Sequence, residues 1–180
     1  MTDIFNFTKK IYKFYYIMSI VYISDRYGLS VADITTGDYF VTEVDSLRGL
    51  TDEIQKFMPS EIICNHAFYV SGANIDDLKG RLGIAVYALE DWYFDDALCK
   101  DTLTGHFRVN DLSGLGIADM TLGVVAAGAL MRYLQDTQKN DLSHMTHITP
   151  YVLGKYMLLD SSTRRNLELT ETLREKQKRG

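Results

Sequence analysis

Three carboxylates, Asp33, Asp38 and Glu43, stand close together in the first quarter of the chain. Acids gathered at strand ends are what two-metal nucleic-acid hydrolysis requires, because they clamp both ions against the reacting phosphate. Asp38 falls in a turn, however, and no acid occupies the middle of the first apolar strand, residues 15–23. The set reads as turn and surface acids, and a metal-dependent nuclease is the remote alternative. His144 and His147 form an H-x-x-H pair. A metal site would need helical i, i+4 spacing or a convergent third ligand. Neither Cys64 nor Cys99 is near in sequence, so these read as ordinary histidines of an irregular segment. Gly114-x-Gly116 lacks the third glycine or the Lys-Ser/Thr pair of a phosphate cradle. Arg164 and Arg165 stand side by side at a helix start. They could meet a neighbouring domain or a phosphate, but adjacent helical positions point in different directions. The simpler reading has each bridging core helices through carboxylates with its planar fork. From the residues alone no catalytic, metal or cofactor-binding set is assigned.

The elements that would position these groups follow from periodicity. Residues 15–24, YYIMSIVYIS, are aromatic and β-branched and predict a strand. A turn is expected at Asp25–Gly28, a second strand over 29–34, a Gly37 turn, and a third strand over 39–44, together an antiparallel meander. Leu47, Leu50, Ile54 and Phe57 recur at helical spacing, and Pro59 closes that helix. Short apolar strands are predicted at 61–65 and 84–87, with a weaker helix over 75–82 between them. Asp91–Phe107 reads as one helix, 111–116 as a loop, and 121–138 as a long helix. The last carries a small-residue stripe, Gly123, Ala126, Ala127 and Gly128, suited to close packing against the sheet. Alternating strand and helix implies parallel crossovers. Residues 141–157 lack periodicity, and a charged helix capped by Asp160 or Ser161 is expected after 159.

Composition bounds the function classes. With 180 residues, 46% hydrophobic and 24% charged, the chain is globular rather than disordered. Two isolated cysteines suggest reduced thiols rather than a disulfide framework. No leader pattern is seen, and the apolar run 122–131 is too short to span a bilayer, so a cytoplasmic setting without membrane contact is expected. The net charge of −5 does not suit a broad DNA-gripping face. The charge is uneven: residues 1–149 hold 12 Lys/Arg against 20 Asp/Glu, and 150–180 hold 7 against 4. That shift suggests a boundary near residue 150.

The stretch 159–173, LDSSTRRNLELTETL, resembles the opening of the core domain in the MutS family of mismatch-repair proteins, with its pattern D-[AS]-[AS]-T-R-R-N-L-E-[LI]. Gly28–Gly37 (GLSVADITTG), Pro59–Ile63 (PSEII) and Leu134–Gln138 (LQDTQ) are similar to text of the family's connector domain. The resemblance covers roughly residues 15–180. It implies an α/β fold: an RNase H-like mixed sheet with flanking helices over 14–142, followed by the start of an all-α core domain. Residues 1–13 would be a tail or linker remnant, 143–155 a linker, and 156–180 the truncated beginning of the core, poorly packed without its helical partners. The family's mismatch-reading Phe-x-Glu motif and its G-x-x-x-x-G-K-[ST] phosphate loop do not occur in these 180 residues. The chain itself is therefore expected to be a fragment without enzymatic activity, a connector coupling the mismatch-binding and ATPase modules. The resemblance implies that the full-length family binds mismatched DNA, uses ATP and Mg, dimerises, and meets a MutL-type partner. The partner-facing candidates it suggests are Asp101, Thr102 and Thr104. Interdomain contacts would fall to Arg164 and Arg165. A free-standing RNase H-like interaction module is the alternative.

Overall fold

The computed structural model describes residues 15–138 and 141–153. The expected tail 1–13, the expected core start 156–180 and both Arg164 and Arg165 lie outside them. Strands β1 (Tyr16–Ile23), β2 (Arg26–Asp33) and β3 (Asp38–Val44) form the antiparallel meander. The first turn is tighter than the sequence suggested. Ser24 and Asp25 both take positive φ, 52° and 64°, so two residues close the hairpin in the twist that the strands favour. β2 thus begins at Arg26, and Gly28 lies within it rather than in the turn. A Cβ on Gly28 would sit 2.1 Å from the Leu122 carbonyl oxygen, so glycine is needed there for close backbone approach.

Helix α1 (Leu47–Phe57) starts at Ser46, whose Oγ accepts from the Gly49 amide, and ends at left-handed Met58 before Pro59. Then come β4 (Glu61–Cys64), α2 (His66–Tyr69), α3 (Ile75–Gly80) and β5 (Ala85–Ala88). The helix expected over 91–107 divides into a 3-10 turn, Asp91–Phe94, and α4 (Asp96–Phe107). The break is at Asp95, extended at φ −70° and ψ 128°, whose carboxylate caps the Leu98 amide. A second 3-10 turn, Leu112–Leu115, precedes α5 (Thr121–Thr137), and β6 (Thr149–Pro150) follows. α2 and β6 are too short to leave a periodic signal.

The six strands run in the order β5-β4-β1-β2-β3-β6. The pairs β1–β4, β4–β5 and β3–β6 are parallel, so the sheet is mixed, and helices cover both faces. Alternation along β1 feeds two cores. Met18 and Ile20 join Leu29, Leu50, Ile54, Ile62 and Phe68 under α1–α3. Ile17 joins Val41, Ile63, Leu103, Leu130 and Leu134 under α4 and α5. Each fully buried aliphatic side chain contributes about 1.5–3 kcal/mol.

The linker expected over 143–155 is replaced, as far as residue 153, by packed chain. Leu142, Met145 and Ile148 are buried. The Tyr151 amide donates to the Val41 carbonyl, and the Thr42 hydroxyl donates to the Tyr151 carbonyl at 2.6 Å. Hydrophobic residues spaced three apart sink into the sheet's far edge without making a helix, which is why periodicity missed them.

Candidate functional site

Two of the three acids considered for hydrolysis, Asp33 and Glu43, have a structural task. Asp33 Oδ1 accepts from the amide and hydroxyl of Thr35, closing the β2–β3 turn. Asp38 lies opposite it, at the start of β3. Glu43 lies five pairs along the ladder, opposite Gly28, about 17 Å away at roughly 3.4 Å per residue. Its Oε2 accepts from the Leu122 and Gly123 amides, at 2.7 and 2.9 Å, and Oε1 pairs with Arg26 at 3.0 Å. A strand carboxylate therefore caps the N-terminus of α5, whose own cap residue, Met120, offers no side-chain acceptor. The three acids do not converge.

The other motifs resolve in the same way. His144 donates from Nε2 to the Ile34 carbonyl, whereas His147 Nδ1 meets the neighbouring Thr146 hydroxyl. The two rings therefore serve different contacts. In the glycine loop, Asp111 caps Ser113, and Gly114, Gly116 and Ile117 donate to carbonyls of the same turn. No fan of free amides remains for a phosphate. Cys64 and Cys99 are buried on different faces, and burial pushes both thiols up to about 12. Burial thus favours the thiol, the less nucleophilic form, at both positions.

The remaining candidates share α4. Cys99, Thr102 and Leu103 are its buried residues. Thr102 is thus 8% exposed and donates to the Leu98 carbonyl, a correction to its expected outward position. It falls at i+3 from Cys99, on the stripe that packs against α5. A Cβ on Gly128 of α5 would sit 2.3 Å from the Cys99 Cβ, so the small-residue stripe admits α4 as well as the sheet. Asp101 faces solvent, and Thr104 is half-buried with its hydroxyl on the Lys100 carbonyl.

Beside Thr104 opens a groove of about 760 Å³ at the C-terminal ends of α4 and α5. His106, Arg108, Gln135, Gln138, Asp141 and Ser143 line it. His106 Nε2 donates to the Met145 carbonyl, holding the 141–146 segment as its far wall. The Ser143 hydroxyl and amide hold the Asp141 carboxyl below the usual range. The wall is polar and open, which suits a protein surface better than a small apolar ligand. Sequence reasoning missed these groove residues because they come from three separate segments. Arg108, left-handed at φ 57°, carries no helix-ending glycine signal.

Tyrosine hydroxyls tie the layers together. Tyr39 donates to the Ala127 carbonyl, Tyr133 to Glu61, Tyr93 to Asp136 and Tyr151 to Glu53, at 2.6–2.7 Å. Glu53 also pairs with Lys56 at 2.9 Å. These bonds reach across 43 to 98 residues of sequence: Tyr39 and Tyr133 link the sheet to α5, Tyr93 links the 3-10 turn to α5, and Tyr151 links the chain just beyond β6 to α1.

Comparison with known proteins agrees with this architecture. The family model described as MutS domain II matches residues 15–147. The chain is similar to the DNA mismatch repair protein MutS of Lachnoclostridium phytofermentans, 58% identical over 165 residues, which is 92% of this chain and 18% of that protein. The protein of the same name from Ruminiclostridium cellulolyticum is 42% identical over 92% of this chain and 19% of its own length. That from Protochlamydia amoebophila is 35% identical over 89% and 19%. The chain thus spans about a fifth of the length of the curated relatives it matches. With the match extending over most of the described mixed sheet and its helices, the chain belongs to the MutS domain II family.

Proposed function

We propose that this chain is a non-catalytic connector of a DNA mismatch-repair protein, coupling a module that reads mismatched DNA to one that uses ATP and Mg. The observation that carries this reading is how the chain leaves the fold. β1 occupies the middle of the sheet, and residues 141–153 are bound back onto α4 by His106, onto the β2–β3 turn by His144, and onto β3 and α1 by Thr42 and Tyr151. A relay requires its ends held in one geometry, so that a bias applied at one is felt at the other. The outward face of α4 around Asp101 and Thr104, with the adjoining groove, is the surface offered to a MutL-type partner. Its exposed acid and hydroxyl rim supply polar contacts of the kind found at transient interfaces.

The test uses a full-length mismatch-repair protein carrying this segment. Tyr151→Phe combined with Thr42→Val loosens the exit without touching any DNA or nucleotide site. Mismatch binding and ATP hydrolysis, measured separately, should persist, while ATP-driven release from mismatched DNA slows several-fold. Unchanged release would overturn the coupling role, and divalent-metal-dependent cleavage of nucleic acid by the isolated chain would overturn the non-catalytic one.

A further inference from the structure

The β2–β3 turn rests on two opposed carboxylates. Asp33 ends β2, Asp38 begins β3, and the two are direct partners in the antiparallel ladder. Side chains alternate along a strand, so both project on the face of Val31 and Phe40, toward α1–α3. Cβ atoms so opposed stand about 4.5–5.5 Å apart, and like charges there repel. Asp33 is fully buried. Its Oδ1 is spent on the amide and hydroxyl of Thr35, while its Oδ2 has no hydrogen-bond partner. Of the three buried side-chain atoms so orphaned among the described residues, it is the only one on a carboxylate. Folded proteins satisfy nearly every buried polar group, so an orphaned carboxylate oxygen calls for a ligand.

Among the described residues the chain's own cations do not supply one. No Lys, Arg or His there forms an ion pair with either carboxylate. Lys56, on the adjoining α1, is held by Glu53 at 2.9 Å and lies over the rings of Phe57 and Tyr151. His144, packed on the turn, spends Nε2 on the Ile34 carbonyl. Asp38 is half-buried, so its carboxylate opens the pair to solvent. Tyr16, the ladder partner of Asp33 on β1, feels both charges: burial, then Asp38, then Asp33 push its phenol up. Both carboxylates therefore lie close to one ring, on one face of the sheet.

We propose that Asp33 and Asp38 bind one hard, hydrated divalent cation at the root of the β2–β3 turn, bridging Asp33 Oδ2 to the Asp38 carboxylate. Metal–oxygen distances of about 2.1–2.6 Å let a single ion span opposed carboxylates. Among the described residues no third His, Cys, Asp or Glu completes a set. Water fills the remaining positions, which suits Mg²⁺ or Ca²⁺ rather than zinc or another metal that favours nitrogen and sulfur. Glu43 lies five pairs along the ladder and is occupied by the α5 N-terminus, so it brings no second ion and the site is structural rather than hydrolytic. The ion cancels the repulsion across the ladder and stiffens the turn to which His144 binds the 141–146 segment. It does not depend on the connector role proposed above.

The test uses the isotope-labelled 180-residue chain, freed of metal with a chelator, at constant ionic strength. Substoichiometric Mn²⁺, a paramagnetic hard cation, should broaden the amides of residues 33–38 and of Tyr16 first. Mg²⁺ or Ca²⁺ should reverse that broadening at about 0.1–1 mM and raise the thermal midpoint by several degrees. Asp38→Asn keeps the Asp33 cap on Thr35 and should weaken binding at least about tenfold. Asp38→Lys supplies the charge from within, and should raise the midpoint without metal while abolishing its response to Mg²⁺. Wild-type affinity in Asp38→Asn overturns the inference. So does broadening centred on the exposed acids at 90–96, or none at millimolar Mn²⁺, which would leave the charge to the chain's own lysines. A midpoint that rises on mild acidification and ignores cations assigns the pair a shared proton and overturns it equally.

Discussion

The two faces of the sheet both bury a bulky core but differ in how closely backbone is brought against it. Under α4 and α5 a bulky core is joined by close approaches at glycine: Gly28 meets the Leu122 backbone, Gly128 meets the Cβ and backbone of Cys99, and Gly123 lies against the Val41 side chain. Under α1–α3 the contact is bulk against bulk, with Tyr16 edge-on to Phe57 at 5.1 Å and Tyr27 edge-on to Phe68 at 6.2 Å. That face also keeps a cavity of about 220 Å³ between α1 and α3, lined by Leu50, Ile54, Phe68 and Leu78. The difference teaches where position is set and where volume is merely filled. Points where backbone meets backbone have one geometry, whereas large side chains beside a cavity can shift.

The largest expected effect abolishes both faces together. Burial raises the Cys64 and Cys99 thiols from 9.0 to about 12, and burial with the Asp136 hydrogen bond raises the Tyr93 phenol from 10.0 to about 12. Folded values above unfolded ones mean a contribution present in full below the ordinary pKa and lost as pH rises toward about 12. Unfolding should begin above about pH 9–10 in circular dichroism; a fold that stays intact to about pH 12 with no loss of thermal midpoint would contradict this. Deleting bulk should hurt the α1–α3 face: Phe68→Ala should cost about 3–5 kcal/mol in denaturant unfolding. Adding bulk should hurt the opposite face: Gly28→Ala should cost about 3 kcal/mol, since the new methyl meets a carbonyl that cannot yield. A tolerated Gly28→Ala would erase the contrast. The smallest effect sharpens it. Gly105, on α4 with nothing within 4 Å of a Cβ, should gain about 0.5–1 kcal/mol on mutation to alanine, read as a raised thermal midpoint.

Much of the fold is legible in the sequence because it rests on repetition. The meander follows from β-branched runs, α1 from its apolar stripe, and α5 from its length and small residues. What repetition cannot show is an element of two to four residues, such as α2 or β6, or a break made by one capping carboxylate, as at Asp95. The candidate site was less legible still. Asp101 and Thr104 are suggested only by family resemblance, and Thr102 faces inward, not outward, because a threonine can bond its own helix and bury its methyl. Glu43 looked like a surface acid because its helix partner lies 79 residues away. The groove residues depend on topology, which single-sequence patterns do not encode.

The late return of residues 149–151 to β3 has a consequence for biosynthesis. The β1–β3 meander can close while the nascent chain is still short, because its partners are neighbours in sequence. The outer rim of β3, by contrast, waits about a hundred residues for its neighbour to leave the ribosome. Until then a growing polypeptide presents an unzipped strand to its surroundings, and a pause in translation ahead of residue 149 would lengthen the interval in which chaperones, or sister chains on the same messenger, can reach it.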